Sequence, residues 1–88
     1  MSYVYAVERE RLFTESGQRM FLKVRDKAHK LLAEAGAFRA QHAWGGVAGD
    51  SWMMLACLDR LLELKEMREV NPGEYAGQHR LFIPNRED

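Results

Sequence analysis

From Thr14 onward the apolar positions follow a helical period. Met20, Phe21, Val24, Ala28, Leu31, Leu32 and Ala35 recur at spacings of three and four, the stripe of an amphipathic helix. Thr14 offers an N-cap hydroxyl, Glu15 sets an acid where the helix dipole favours one, and Gly36 is suited to the turn that leaves a helix. The pattern predicts a first helix over 14–36. A second stripe, Met54, Leu55, Leu58, Leu61 and Leu62, follows Asp50, a strong N-cap residue. Leu, Met and Ala are dense from Ser51 to Leu64, and all three favour helices, so a second long helix is predicted over 50–64. Between the two, Ala37-Phe38-Arg39-Ala40 reads as an extended link. Gln41-His42-Ala43-Trp44 has the length of one helical turn, which Gly45-Gly46 then breaks.

After the second helix the period shortens. Met67 to Val70 and His79 to Ile83 are strand-like runs, separated by Asn71-Pro72-Gly73-Glu74-Tyr75-Ala76-Gly77-Gln78. That connection is long for a tight hairpin, so a hairpin over 67–84 with a projecting loop is expected. Pro84 ends the second strand, and residues 85–88 form a polar tail expected to fray. At the other end Tyr3 to Val7 is aromatic and β-branched. It suits a strand, and it equally suits the start of a helix running through Leu12 and Phe13.

The order of helix, short extended segment, short helix, long helix and hairpin resembles a winged helix-turn-helix domain. The resemblance is carried by Leu58-Asp59-Arg60-Leu61-Leu62-Glu63-Leu64-Lys65-Glu66-Met67-Arg68-Glu69-Val70, which is similar to the end of a recognition helix turning into the first wing strand. Gly36-Ala37-Phe38-Arg39 looks like the short first strand that lies beside the wing. The match covers Gln18 to Pro84. Lys65 stands where that family usually has glycine, at a position suited to positive φ. The resemblance implies an α+β fold: a small winged-helix-like domain with two principal helices, a short middle helix and a C-terminal β-hairpin wing. It also implies DNA binding as one function, since most members of that architecture bind DNA.

With 88 residues there is room for one domain with a thin core. A composition 47% hydrophobic and 30% charged excludes collagen-like and low-complexity chains. No apolar run approaches membrane-spanning length, and charges at Glu8, Arg9, Glu10 and Arg11 interrupt the N-terminus before any signal-like stretch. The single cysteine, Cys57, sits in an apolar run, where a buried thiol is expected. It fits a reducing, cytoplasmic setting.

No catalytic or metal-ligating motif emerges. His29, His42 and His79 lack ligand spacing with each other and with Cys57. The glycines at 45, 46 and 49 superficially resemble an anion cradle, but Asp50 at the cap would repel an anion and occupy the same donors. Asp59 and Glu63 lie one turn apart with Arg60 and Lys65 close by, a pattern of solvated ion pairs. No enzyme, cofactor, metal or small-molecule substrate is therefore expected, and no membrane partner.

Candidate binding residues come from the side of the second helix away from its leucine stripe. Trp52, Met53, Ala56 and Arg60 fall there, and an exposed apolar patch with Trp and Arg suits a protein partner or a homodimer. The competing expectation is that Trp52 folds back under His42-Ala43-Trp44 or the N-terminal segment to complete the core. The DNA alternative uses Arg60, Arg68 and Arg80 with Lys23 and Lys30 on the first helix.

Charge distribution ranks the two readings. Lys plus Arg and Asp plus Glu both number 13. Residues 14–39 carry six basic and three acidic side chains, whereas residues 40–88 carry five basic and eight acidic. The basic excess thus lies on the first helix, away from the helix and wing that would dock on DNA, which makes a protein contact the first expectation.

Overall fold

A computed structural model describes residues 2–44 and 50–85. In order, these residues form α1 (Tyr5–Glu8), a 3-10 turn (Arg9–Phe13), α2 (Glu15–Ala35), β1 (Phe38–Arg39), α3 (Ala40–Trp44), α4 (Ser51–Glu63), β2 (Met67–Glu69), a second 3-10 turn (Gly77–His79) and β3 (Leu81–Pro84). The fold is α+β, and its layout is consistent with a small winged-helix-like domain.

Both long helices begin at the caps their sequences offer. The backbone N–H of Gly17 donates to Thr14 Oγ1 at 3.1 Å, and that of Trp52 donates to Asp50 Oδ1 at 2.8 Å. Helix α2 ends at Gly36, whose N–H still donates to the carbonyl of Leu32 and whose φ of 78° turns the chain out of the helix. Helix α4 ends in the paired bonds of a Schellman turn, Glu66 N–H to Leu61 O and Lys65 N–H to Leu62 O. Lys65 sits in this turn at φ 60°, the positive φ expected of that position.

The sheet is antiparallel with strand order β1-β3-β2. Phe38 pairs with Phe82, and Phe82 in turn with Glu69, so the three share the inward face. The rings of Phe38 and Phe82 stand 5.3 Å apart and, with Met67, meet the buried faces of the helices. From α2 come Phe21, Val24 and Ala28; from α4 come Ala56, Cys57, Leu58 and Leu61. The expected apolar stripes are thus the buried ones, although Ala35 is exposed and Met20, Leu31, Leu32 and Leu62 are half-buried. Burial pushes the Cys57 thiol up to about 12, which leaves it an inert packing group at neutral pH.

Three expectations are revised. Tyr3 to Val7 makes no strand: Tyr5–Glu8 is helical and runs on into the 3-10 turn, the second of the two readings the sequence allowed. The second wing strand starts later than expected: the mostly exposed connection is tied at its base, where Arg39 Nη1 donates to the carbonyl of His79 at 2.7 Å and its guanidinium stacks over the Tyr75 ring. His79 accordingly belongs to a 3-10 turn and β3 starts at Leu81. Asn85, placed in the fraying tail, donates its side-chain amide to the carbonyl of Lys65 at 2.7 Å. The glycine run 45–49 and tail residues 86–88 lie outside the described residues.

The segment from Tyr3 to Phe13 forms an arm across α2 and α4. Leu12, buried, anchors it in the core, and the Gln18 side-chain amide donates to the carbonyl of Leu12 at 2.6 Å. The arm can lie this close only because residue 17 is glycine. A Cβ there would stand 2.0 Å from the carbonyl oxygen of Arg11.

Candidate functional site

The outer side of α4 is where the sequence places its binding residues, and it is where the arm lies. Tyr3 donates its hydroxyl to Asp59 Oδ2 at 2.6 Å, and Tyr5 donates to Glu63 Oε1 at 2.9 Å. Arg9 Nε bridges both oxygens of Glu63 at 3.1 Å, and Arg60 Nη1 donates to Glu63 Oε1 at 2.7 Å. Both guanidiniums also face the Phe13 ring, at 5.0 and 5.3 Å from its centroid. Hydrogen bonds from Arg60 and Tyr5, with Arg9 beside them, pull the Glu63 carboxyl down to about 2. Burial, followed by the bond to Glu63, pushes the Tyr5 phenol up to about 12.

This arrangement corrects the predicted surface. Met53 is 6% exposed and Ala56 is fully buried, so neither is offered to a partner. Both fell on the side opposite the leucine stripe, and the arm supplies a second layer there. Arg60 is half-buried, held by Glu63 and stacked on Phe13. Of the predicted protein-binding residues, Trp52 alone reaches a surface feature: a pocket of about 250 Å³ walled by Ser2, Val4, Val7, Glu8 and Trp52. Val4 is 50% exposed and Val7 is 69% exposed, so the arm turns two valines outward beside the tryptophan. The acids at this end, Glu8 and Asp50, share Arg11, at 2.7 and 3.2 Å. The backbone bond from Trp52, with Arg11 adding to it, holds the Asp50 carboxyl below its ordinary value.

Arg80 is the second correction. Expected to reach DNA, it is 9% exposed and donates to Asp59 at 2.6 and 3.2 Å and to Glu69 at 2.9 and 3.0 Å. The alternation of an extended chain puts residue 80 on the same face as Phe82, and Glu69 pairs with Phe82, so both charges point inward at the margin of the core. Burial works against the guanidinium's charge, but the bonds to Glu69 and Asp59 outweigh it and hold the proton more firmly than usual. The remaining candidates, Arg68, Lys23 and Lys30, are exposed, with no ion pair among the described residues.

Asp59 and Glu63 are therefore not simply solvated partners of Arg60 and Lys65. They are the acceptors through which α4 holds Tyr3, Tyr5 and Arg9 of the arm. No group of three or more metal-ligating side chains lies together among the described residues. Nor is any helix among them long and apolar enough to cross a membrane.

Sequence reasoning missed Val4, Val7 and the two tyrosines as parts of this site. The signal was present in the apolar-aromatic run Tyr3-Val4-Tyr5-Ala6-Val7, but the sides on which the valines and the tyrosines fall are set by the change from extended backbone at Val4 to helix at Tyr5, which periodicity does not locate. The chain matches no protein-family model, no curated protein and no solved structure.

Proposed function

We propose that this chain is a small non-enzymatic interaction module of winged-helix type whose contact surface is the pocket between Trp52 and the arm. The observation that carries the reading is the pairing of Val4 and Val7, outward-facing and at least half exposed, with a half-buried tryptophan in one apolar depression. Exposed apolar surface around an aromatic side chain is what binding hot spots are made of. At about 250 Å³ the depression falls below the roughly 300–1,000 Å³ of small-molecule sites, and suits one side chain of a macromolecular partner. Its one ionisable lining group, Glu8, is already engaged by Arg11, which leaves no free acid or base for chemistry at the pocket.

The test compares wild type with Val7→Asp, a change at an exposed position that spares the core. Solution mass and retention of proteins from a cell extract are measured on both, with folding checked by circular dichroism. Self-association or a retained protein seen with wild type and lost in the variant supports the reading. Identical profiles for the two chains reject it.

DNA binding stands second. It keeps the exposed cations Arg68, Lys23 and Lys30, but Arg80 and Arg60 are committed to carboxylates. Strong, salt-sensitive retention on duplex DNA that is lost in Arg68→Ala would move it to first place.

A further inference from the structure

The arm is fastened unevenly along its length. Its base, the 3-10 turn Arg9–Phe13, is locked to α2: Leu12 is 1% exposed, its carbonyl accepts from the Gln18 side chain, and Gly17 lets the Arg11 carbonyl press against the helix. The outer part, residues 2–8, packs on α4. It gives no side chain to the buried apolar core; Tyr3 and Tyr5 pack half-buried against the core's margin, and Val4, Ala6 and Val7 are exposed. Among the described residues, side-chain bonds leave the outer part at three places: Tyr3 to Asp59, Tyr5 to Glu63, and Glu8, which accepts from Arg11. The third stays within the arm, so two tyrosine hydroxyls make the bonds to the body of the domain. Burial pushes both phenols up, which keeps them protonated donors across the neutral range.

Beneath the outer part runs one row of α4. Trp52, Ala56, Asp59 and Glu63 follow each other at helical spacings of four, three and four. Asp59 and Glu63 receive the tyrosines, and Trp52 shares its pocket with Val4, Val7 and Glu8. Ala56, between these contacts, is fully buried. Four of the five residues that wall the pocket belong to the outer part, and Trp52 alone belongs to α4. A segment that leaves the apolar core intact when it lifts is a candidate for opening on its own, at a lower cost than unfolding the domain.

We infer that residues 2–8 are a strap that opens and closes on α4 about the Arg9–Phe13 turn, with the hydroxyls of Tyr3 and Tyr5 as its latch. Closing the strap builds the Trp52 pocket; opening it bares Trp52 and Ala56 to water and dismantles the pocket, while Leu12 and Gly17 keep the base in place. The opening stands on the fastening of the arm alone. Its consequence, a contact surface that exists only in the closed form, rests on the reading of the pocket as that surface.

The test removes the latch and keeps the rings. A thiol is placed beneath the strap by Ala56→Cys in a Cys57→Ala chain, and its labelling by a disulfide reagent is timed with and without Tyr3→Phe and Tyr5→Phe together. Losing two bonds to carboxylates should raise the labelling rate by roughly tenfold or more. That rate should depend only weakly on urea, because local opening exposes little surface. Labelling that keeps the steep urea dependence of global unfolding in both chains overturns the inference, since arm and core then open as one. Acrylamide quenching of Trp52 repeats the comparison with Ala56 and Cys57 unchanged, Trp52→Phe isolating the signal from Trp44. Severalfold stronger quenching without the hydroxyls upholds the strap, and equal quenching overturns it. A final arm measures solution mass and protein retention. A double variant that labels fast yet associates or retains protein like wild type overturns the link to the pocket and leaves the interaction-module reading standing. A wild type that binds nothing removes that reading, and fast labelling of the double variant still upholds the strap.

Discussion

Arg80 and Asp59 are joined by two hydrogen bonds, 2.6 and 3.2 Å long, between side chains only 11% and 15% exposed. Glu69 closes the same guanidinium from the other side, and Tyr3 completes Asp59. One cation therefore ties together α4, β2 and the arm. Removing it leaves two carboxylates at the core margin facing each other without compensation. Arg80→Met should cost about 3 kcal/mol in chemical denaturation, the scale on which breaking a buried pair is penalised. Arg68→Met on the exposed side of β2 should change stability by less than about 0.5 kcal/mol.

The close approach of the arm to α2 gives a second prediction. In an exposed helix, Gly to Ala stabilises by about 1 kcal/mol through backbone entropy. At Gly17 the sign reverses, because the added methyl would stand 2.0 Å from the Arg11 carbonyl oxygen and 2.8 Å from the Leu12 Cα. Backbone atoms at that distance have to move. Gly17→Ala should destabilise by about 1–3 kcal/mol, read as a fall in Tm of roughly 4–8 °C per kcal/mol.

These two sites show where the sequence was legible. Thr14, Gly36 and Asp50 declare their roles locally, because a cap or a helix-ending turn is decided by a few neighbouring residues, and all three stand where they were expected, whereas the positive φ of Lys65 was expected only through the resemblance, since a lysine carries no such signal. The leucine stripe of α4 was legible for the same reason. Its opposite side was not: Met53 and Ala56 are buried, and α4 packs against an arm distant in sequence as well as against α2, and periodicity within one helix carries no information about a second layer. Arg80 misled for a related reason. A basic residue before a strand reads as solvated until the pairing of Phe82 with Glu69 shows that its face points inward.

Lys65 yields a prediction of the opposite sign. It holds φ 60° in the turn after α4, a conformation that costs an L-residue about 1–2 kcal/mol and glycine nothing. Part of that gain is lost to the greater freedom of glycine in the unfolded chain. Lys65→Gly should stabilise by about 0.5–1 kcal/mol. The carbonyl that accepts from Asn85 belongs to the backbone and is kept, so the bond to residue 85 survives the change.

The last prediction concerns pH and the arm. The Glu63 carboxyl lies at about 2 in the folded chain, pulled down by Arg60, Tyr5 and Arg9 from an ordinary value of 4.5. A carboxylate depressed by folding contributes stability that is fully present above its unfolded pKa and is lost as the pH falls through the folded one. The bonds from Tyr5 and Arg9 should therefore weaken progressively between pH about 4.5 and about 2, with no change between pH 6 and 8. Asp50, also held low, acts in the same direction at the Arg11 end. Trp52 reports the event, because the pocket it lines is built from arm residues on one side. Its emission should shift toward that of a solvated indole across the acid range, with Trp52→Phe separating it from Trp44. In Glu63→Gln, which removes the titrating group and keeps an acceptor for Tyr5, the early part of that transition should flatten. An unchanged acid transition in that variant would mean that the arm is held chiefly by Leu12 and Gly17, with the tyrosine and arginine bonds contributing little.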